Sequence, residues 1–312
     1  MLKIIKGTTS IQRRKRESYK VFLLALPVIL YVILFKYIPL WGWVYSFYNY
    51  KPGRDLADCT FVGLKNFKAL FDNPVLLDNL LRVLKNTFGM QGLMYLLTPL
   101  PMFFAIFLSE MKSKKFQKVV QTISTLPHFL SWVIVYSLML GVLSYNGVVN
   151  NLLLEFGLIE KATNFLASSN NVWIKQTLIR EWKEIGWSAI VYFAAIAGID
   201  QTLYEAAAVD GAKRMQRIWY ITIPQLIPTY FVLLVMNLGK FLNTGIDQYL
   251  VFSNPMNKDY LETLDLYVYN LGIGSNQISY SIAVGMMKSV VAIVLFASAN
   301  WFSKKVRDES IF

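Results

Sequence analysis

The chain is poor in the groups that carry out chemistry. Its 312 residues include one cysteine, Cys59, and one histidine, His128. A single thiol excludes an internal disulfide, and neither residue has the partners a metal cluster needs. Charge is scarce too. Only 16% of residues are Asp, Glu, Lys or Arg, against about 25% in an ordinary soluble domain. Acids are the rarer sign, 19 against 31 bases, so the formal net charge is +12. No G-x-x-x-x-G-K-[ST] phosphate loop occurs; Gly239-Lys240 lacks both the upstream glycine and a following Ser or Thr. No Ser/His/Asp set and no paired catalytic carboxylates emerge. The chain is therefore expected to be no enzyme, to hold no cofactor or metal, and to need a separate subunit for any use of ATP.

What is abundant is apolar surface: 55% hydrophobic and 15% aromatic residues, with a mean hydropathy of +0.42. A helix needs roughly 20 mostly apolar residues to cross the hydrocarbon core. Six stretches qualify approximately: 21–46, 87–109, 119–144, 178–199, 225–250 and 281–303. Backbone polar groups in lipid must be satisfied within the segment, so all six are expected to be helices. The fold class expected is all-α integral membrane: a basic N-tail over 1–20, one membrane domain over 21–303 and a C-tail over 304–312. The apolar run after IQRRKRESYK exceeds the roughly 7–15 residues of a signal-peptide core, so the first span is expected to be retained.

The placement of the bases predicts orientation, because lysine and arginine mark the cytoplasmic side. The N-tail carries Lys3, Lys6, Arg13, Arg14, Lys15, Arg16 and Lys20. The second connection carries Lys112, Lys114, Lys115 and Lys118, and the fourth Lys213, Arg214 and Arg217. Lys304, Lys305 and Arg307 follow the last span, whereas the third and fifth connections hold only Lys161 and Lys258, plus Lys175 near a span end. That asymmetry puts both termini and the fourth connection inside the cell. In the long first connection, Asn73 and Pro74 predict a helix start. Leu76, Leu77, Leu80, Leu81 and Leu84 then share one face, either on the outer surface or leading into span two.

The fourth connection, YEAAAVDGAKRMQRIWYITIP over 204–224, keeps charge and alanine between two apolar runs. Thr202 and Glu205 are spaced as a capping box, with Asp200 able to share the capping. Ala206, Ala207, Ala208 and Ala212 allow close approach of another surface. Asp210-Gly211 is a turn signal, Gly being free to take positive φ. A second helical piece is predicted through Met215, Ile218 and Ile221, with Pro224 ending it and Pro228 opening span five. The residues alone leave two readings: a helix–turn–helix for a partner's groove, or an amphipathic connector at the membrane surface.

Glu205-Ala206-Ala207, Asp210-Gly211-Ala212, Ile221, Thr222 and Pro224 resemble the EAA loop of permease subunits of binding-protein-dependent ABC importers; Ile223 replaces the usual Leu. FKYIPLWGWVYSFYNYKPG, TLPHFLSWVIVYSLM and EWKEIGWSAIVYFAAIAGID are similar to the carbohydrate-uptake branch, in particular polysaccharide and oligosaccharide permeases. The resemblance implies that the loop over 200–224 docks into a cytoplasmic ATPase. Glu205 would be its charged anchor, Gly211 its turn, and Ala206, Ala207, Asp210, Ala212, Ile221 and Pro224 its framework. It further implies an ATP-binding subunit dimer, a second permease subunit, an extracellular solute-binding protein and a place in the bacterial plasma membrane, with no nucleic-acid partner.

Ionisable groups inside spans usually face an interior or a water-filled path. Lys183 and Glu184 are such groups in span four. Arg180 and Glu184 are four apart and suited to pair. In span five, Asn243, Asp247 and Tyr249 offer what sugar hydroxyls and ring faces need, or hydrogen bonds between helices. Lys36, Lys240 and Lys288 are expected to snorkel or pair. Trp41, Trp43, Trp132, Trp182 and Trp187 read as interface anchors, and Pro127-His128 as a bend without chemistry. Rival readings are an importer permease for peptides, amino acids or ions, a membrane-embedded enzyme, and a secondary transporter. The last would show inverted repeats with broken midplane helices, and none are visible in the sequence.

Overall fold

The structure, a computed structural model, describes residues 9–307, with side chains described from 21 to 298. Lys3 and Lys6 of the N-tail and residues 308–312 of the C-tail lie outside the described residues, as do the side chains of the other bases assigned to both tails. The described chain is mostly helical; its one β pairing among the described residues is an isolated bridge between Tyr48 and Phe61.

Helix α1 (Thr9–Val32) continues through a π turn, Ile33–Tyr37, and a 3-10 segment, Ile38–Phe47. Together they give the apolar stretch Val21–Phe47, whose apolar residues are left uncovered by the chain over most of its length, with Ser46 buried near its end. α2 (Lys65–Asp72) precedes α3 (Pro74–Leu97), whose start follows the sequence reading. The Asn73 side chain accepts from the Val75 and Leu76 amides, at 3.0 and 3.5 Å, with Pro74 at the first helical position. The amphipathic leucine segment is thus the first half of the helix that becomes span two. α3 passes through Thr98-Pro99 into α4 (Leu100–Ser109).

Span three departs from expectation. The stretch 119–144 divides into α5 (Lys114–Thr125), a 3-10 turn at Leu126–Phe129, and α6 (Trp132–Leu143). The membrane-length apolar segment is shifted to Trp132–Glu155, taking in α7 (Val148–Glu155). Pro127 lies in the turn, and the lysines of α5 confine its apolar residues to one face, which explains the division.

α8 (Val172–Ala197) is the centre of the fold, packed against α3, α4 and α5. At 26 residues it is about 39 Å long, enough to cross. It carries Lys175, Arg180, Glu181, Lys183 and Glu184, so it is not among the five segments that, among the described residues, are both long and apolar enough. Those are Val21–Phe47, Pro74–Ser109, Trp132–Glu155, Arg214–Leu238 and Ile278–Ser298. Gly186 sits against the backbone of Ser124 and Thr125, where any Cβ would overlap the Ser124 carbonyl; that contact seats α8 on α5.

α9 (Gln201–Val209) and α10 (Arg214–Arg217) form the fourth connection. A π turn, Ile218–Thr222, then leads without a stop into α11 (Ile223–Leu238). Pro224 therefore does not end a helix but stands near the start of α11. The wider π turn accommodates a residue that lacks the amide an α-helix requires. Span five also breaks. α11 stops at Leu238, and non-helical backbone leads to the short α12 (Asp247–Phe252), α13 (Lys258–Leu261) and α14 (Leu264–Tyr269). α15 (Ile278–Arg307) is the last span. The break at 126–131 falls at the bend expected of Pro127-His128, although it divides the span more completely than a bend; the break at 239–246 is an interrupted helix that the sequence did not reveal.

Candidate functional site

The connection over 200–224 is built to hold a fixed shape. Asp200, not Thr202, caps α9: its carboxylate accepts from the Thr202 amide at 2.9 Å. Thr202 is one residue inside the helix, so the box expected with Glu205 does not form. That backbone hydrogen bond holds the Asp200 carboxyl below the usual carboxylate range. The helix ends in a Schellman motif. The Gly211 amide donates to Ala208 O at 3.1 Å and the Ala212 amide to Ala207 O at 2.8 Å, with Gly211 at φ +75°. A Cβ at Gly211 would meet nothing within 4 Å, so the demand for glycine comes from the backbone alone.

Two contacts tie this elbow to the bundle. The Tyr204 hydroxyl meets Thr222 Oγ1 at 2.9 Å, clipping α9 to the π turn. Arg214 Nε donates to Glu110 Oε2 at 2.6 Å, and the same guanidinium also reaches the Glu110 carbonyl. Between these ties the elbow is bare. Glu205, Ala206, Asp210 and Gly211 are exposed, Ala207 and Ala212 half-buried. Glu205 makes no ion pair among the described residues. Val209 is 88% exposed, and Met215, Trp219 and Tyr220 are exposed beyond it. Ile221 is half-buried and Pro224 exposed at the start of α11.

The second set of candidates lies deeper. Lys183 is buried; its Nζ donates to His128 O at 2.6 Å, approaches Glu184 Oε1 at 3.4 Å and stands 5.3 Å from the Trp132 ring centroid. The His128 carbonyl belongs to the 3-10 turn in the broken span, and Lys183 satisfies it. Glu184 does not pair with Arg180. Its Oε2 lies 2.7 Å from His128 Nδ1, and the imidazole is stacked on Trp187 at 4.4 Å between centroids. Arg180 instead donates to Thr244 O at 3.3 Å. His128, Trp132 and Trp187 thus form a polar cluster with α8, whereas Pro127-His128 reads in the sequence only as a bend.

Asn243 and Asp247 are exposed at the break in span five, while Tyr249 is buried. The break is capped from far along the chain. Asp265 Oδ2 accepts from the Gly245 amide at 3.1 Å and from Thr244 Oγ1 at 3.2 Å. Its other oxygen pairs with Lys288 of α15. Lys288 therefore pairs, as expected of it, but with a residue whose role the sequence hid. A cavity of about 420 Å³ opens between Asn243, Asp265, Lys288 and Ser289. The structure brings Lys183 and Glu184 together but leaves them apart from the Asn243 cavity, with no contact between the two.

Comparison with known proteins accounts for this architecture. Residues 97–308 match the family described as the binding-protein-dependent transport system inner membrane component. Protein LplB of Bacillus subtilis is 37% identical over 98% of this chain and 95% of its own. The polygalacturonan/rhamnogalacturonan transport system permease protein YteP, also of B. subtilis, is 38% identical over 96% and 94%. A solved bacterial alginate ABC transporter, in complex with a periplasmic protein carrying an alginate pentasaccharide, superposes with a TM-score of 0.83 at 34% identity over 96% of this chain and 99% of that one. This chain belongs to the family of binding-protein-dependent transport system inner membrane components, a membrane-embedded permease component and not an enzyme.

Proposed function

We propose that this permease carries oligosaccharides into the cell and is driven by a separate ATPase that grips the elbow at 200–224. The observation that carries the reading is the elbow itself: rigid at its ends, capped by a Schellman turn, and presenting unpartnered alanine and valine surface between exposed Glu205 and Asp210. Such a surface suits a cleft in a partner protein, and the basic connections argue that it faces the cytoplasm with both termini. A dimer of ATP-binding subunits would fill that role. A second permease subunit would complete the path, and an extracellular solute-binding protein would supply cargo, as the alginate complex has for its own. The relatives' polysaccharide substrates support an oligosaccharide, and the polar groups at the two helix breaks suit hydroxyl-rich cargo. Lys183, Glu184, Asn243, Asp247 and Tyr249 remain the residues proposed for the path; Tyr249, being buried, would act by shaping it.

The test is reconstitution of the co-expressed complex with wild-type or Gly211→Val permease. Valine at positive φ is a backbone outlier, and the space around Gly211 is open, so the bundle folds while the elbow changes shape. The variant is expected to keep its melting temperature but lose ATPase capture and ATP-dependent oligosaccharide uptake. Unchanged uptake would remove the elbow from the coupling role.

A further inference from the structure

Beside the elbow lies a cavity of about 410 Å³, formed where α4 ends at Ser109 and α8 at Ile196 and Ala197. Two bases line it. Lys114 comes from α5, with Gln117 and Gln121 on the same helical face, and Arg217 comes from the last turn of α10. The acid in its wall, Glu110, is already held by Arg214. Lys114 Nζ has only the amide oxygen of Gln117, at 3.3 Å. The Arg217 side chain is half-buried and, among the described residues, its guanidinium meets no carboxylate and no hydrogen-bond acceptor. A half-buried guanidinium is costly to leave without an anion. Here it shares a concave, amide-rich space with a lysine and no free acid.

We propose that this cavity is an anion site for a phosphate group, supplied by the headgroup of an acidic membrane phospholipid. The planar guanidinium fork matches two phosphate oxygens, Lys114 adds a point charge, and the amides of Gln117 and Gln121 add neutral donors. Its place at the ends of two spanning helices is the depth at which headgroups lie, and basic pockets between such helices suit them. Arg217 and two other wall residues, Tyr204 and Thr222, belong to the elbow or its π turn. A bound headgroup would therefore brace the elbow against α5. The site requires nothing about the transported solute and stands or falls apart from the oligosaccharide assignment.

The experiment is native mass spectrometry of the delipidated full chain, titrated separately with phosphatidylglycerol, phosphatidylcholine and inorganic phosphate. Wild type is expected to retain phosphatidylglycerol well above phosphatidylcholine. Arg217→Gln and Lys114→Gln should each weaken retention roughly fivefold, the scale of one base near an acidic surface. Arg217→Lys should weaken it less, and Lys213→Gln, outside the cavity, should leave it unchanged. Retention of inorganic phosphate with the same dependence on Arg217 and Lys114 would support the anion site while assigning it to a soluble source. Equal retention of the two lipids without phosphate binding, or a folded Arg217→Gln/Lys114→Gln protein that binds as wild type does, would overturn the proposal.

Discussion

At Gly211 the chain turns with φ +75° and open space around the missing side chain. Any cost of substitution there is conformational, about 1–2 kcal/mol for an ordinary residue. Asn tolerates the left-handed region, so Gly211→Asn should retain more uptake than Gly211→Val, with transport assays on matched expression levels as the check. Asp200 gives a second prediction. Its carboxyl is held low by the Thr202 amide. The stabilisation is therefore complete above the unfolded value of about 3.9 and is lost as pH falls through the lower folded value. Protection of the amides at the start of α9 against hydrogen exchange, taken relative to the intrinsic rate at each pH, should fall only at acid pH, and Asp200→Ala should show the lower protection at neutral pH too. The turn and the caps were legible because short-range backbone chemistry writes them into adjacent residues. The error at Thr202 came from two competent caps standing two positions apart. Asp265 was not legible at all: its partners, Thr244, Gly245 and Lys288, lie 20 or more residues away in sequence, and no local pattern marks the pairing.

Between helices, the sharpest feature is the contact of α8 with α5. Gly186→Ala would force its Cβ into the Ser124 carbonyl. Overpacking of this kind costs about 1–3 kcal/mol, so the variant should melt earlier in detergent, whereas Gly92→Ala, with nothing within 4 Å, should not. The cap on the broken span is a second interface. Lys288→Met leaves Asp265 charged and half enclosed without its cation; leaving such a group without its partner costs about 1–3 kcal/mol. Adding Asp265→Asn should restore much of the loss in thermal unfolding, and failure of the double variant to recover would mean that Lys288 acts elsewhere. Element starts such as Asn73-Pro74 followed directly from capping rules. The break in span five did not, because hydrophobicity runs unbroken across 225–238 and resumes after 246. What interrupts it is a set of hydrogen bonds offered by α8 and α14. The π turn at Ile218–Thr222 likewise absorbs Pro224, which composition alone marks as a stop.

For the whole molecule, the class of fold was set by long apolar runs and scarce charge, and these are properties of the sequence as such. The run 178–199 within α8 was legible as a mostly apolar span, although the charges of the whole helix keep it from qualifying on composition; Lys183 and Glu184 meet each other and His128, Arg180 and Lys175 reach backbone carbonyls, and one buried oxygen of Glu181 has no hydrogen-bond partner among the described residues. The proposed coupling requires the elbow to face the cytoplasm and an ATPase to hold it. Val209, at its most exposed point, is the position to probe. In a Cys59→Ser background, Val209→Cys in the assembled importer should cross-link to the ATP-binding subunit and resist a membrane-impermeant maleimide applied to intact cells. Labelling from outside, with no cross-link to that subunit, would contradict the account.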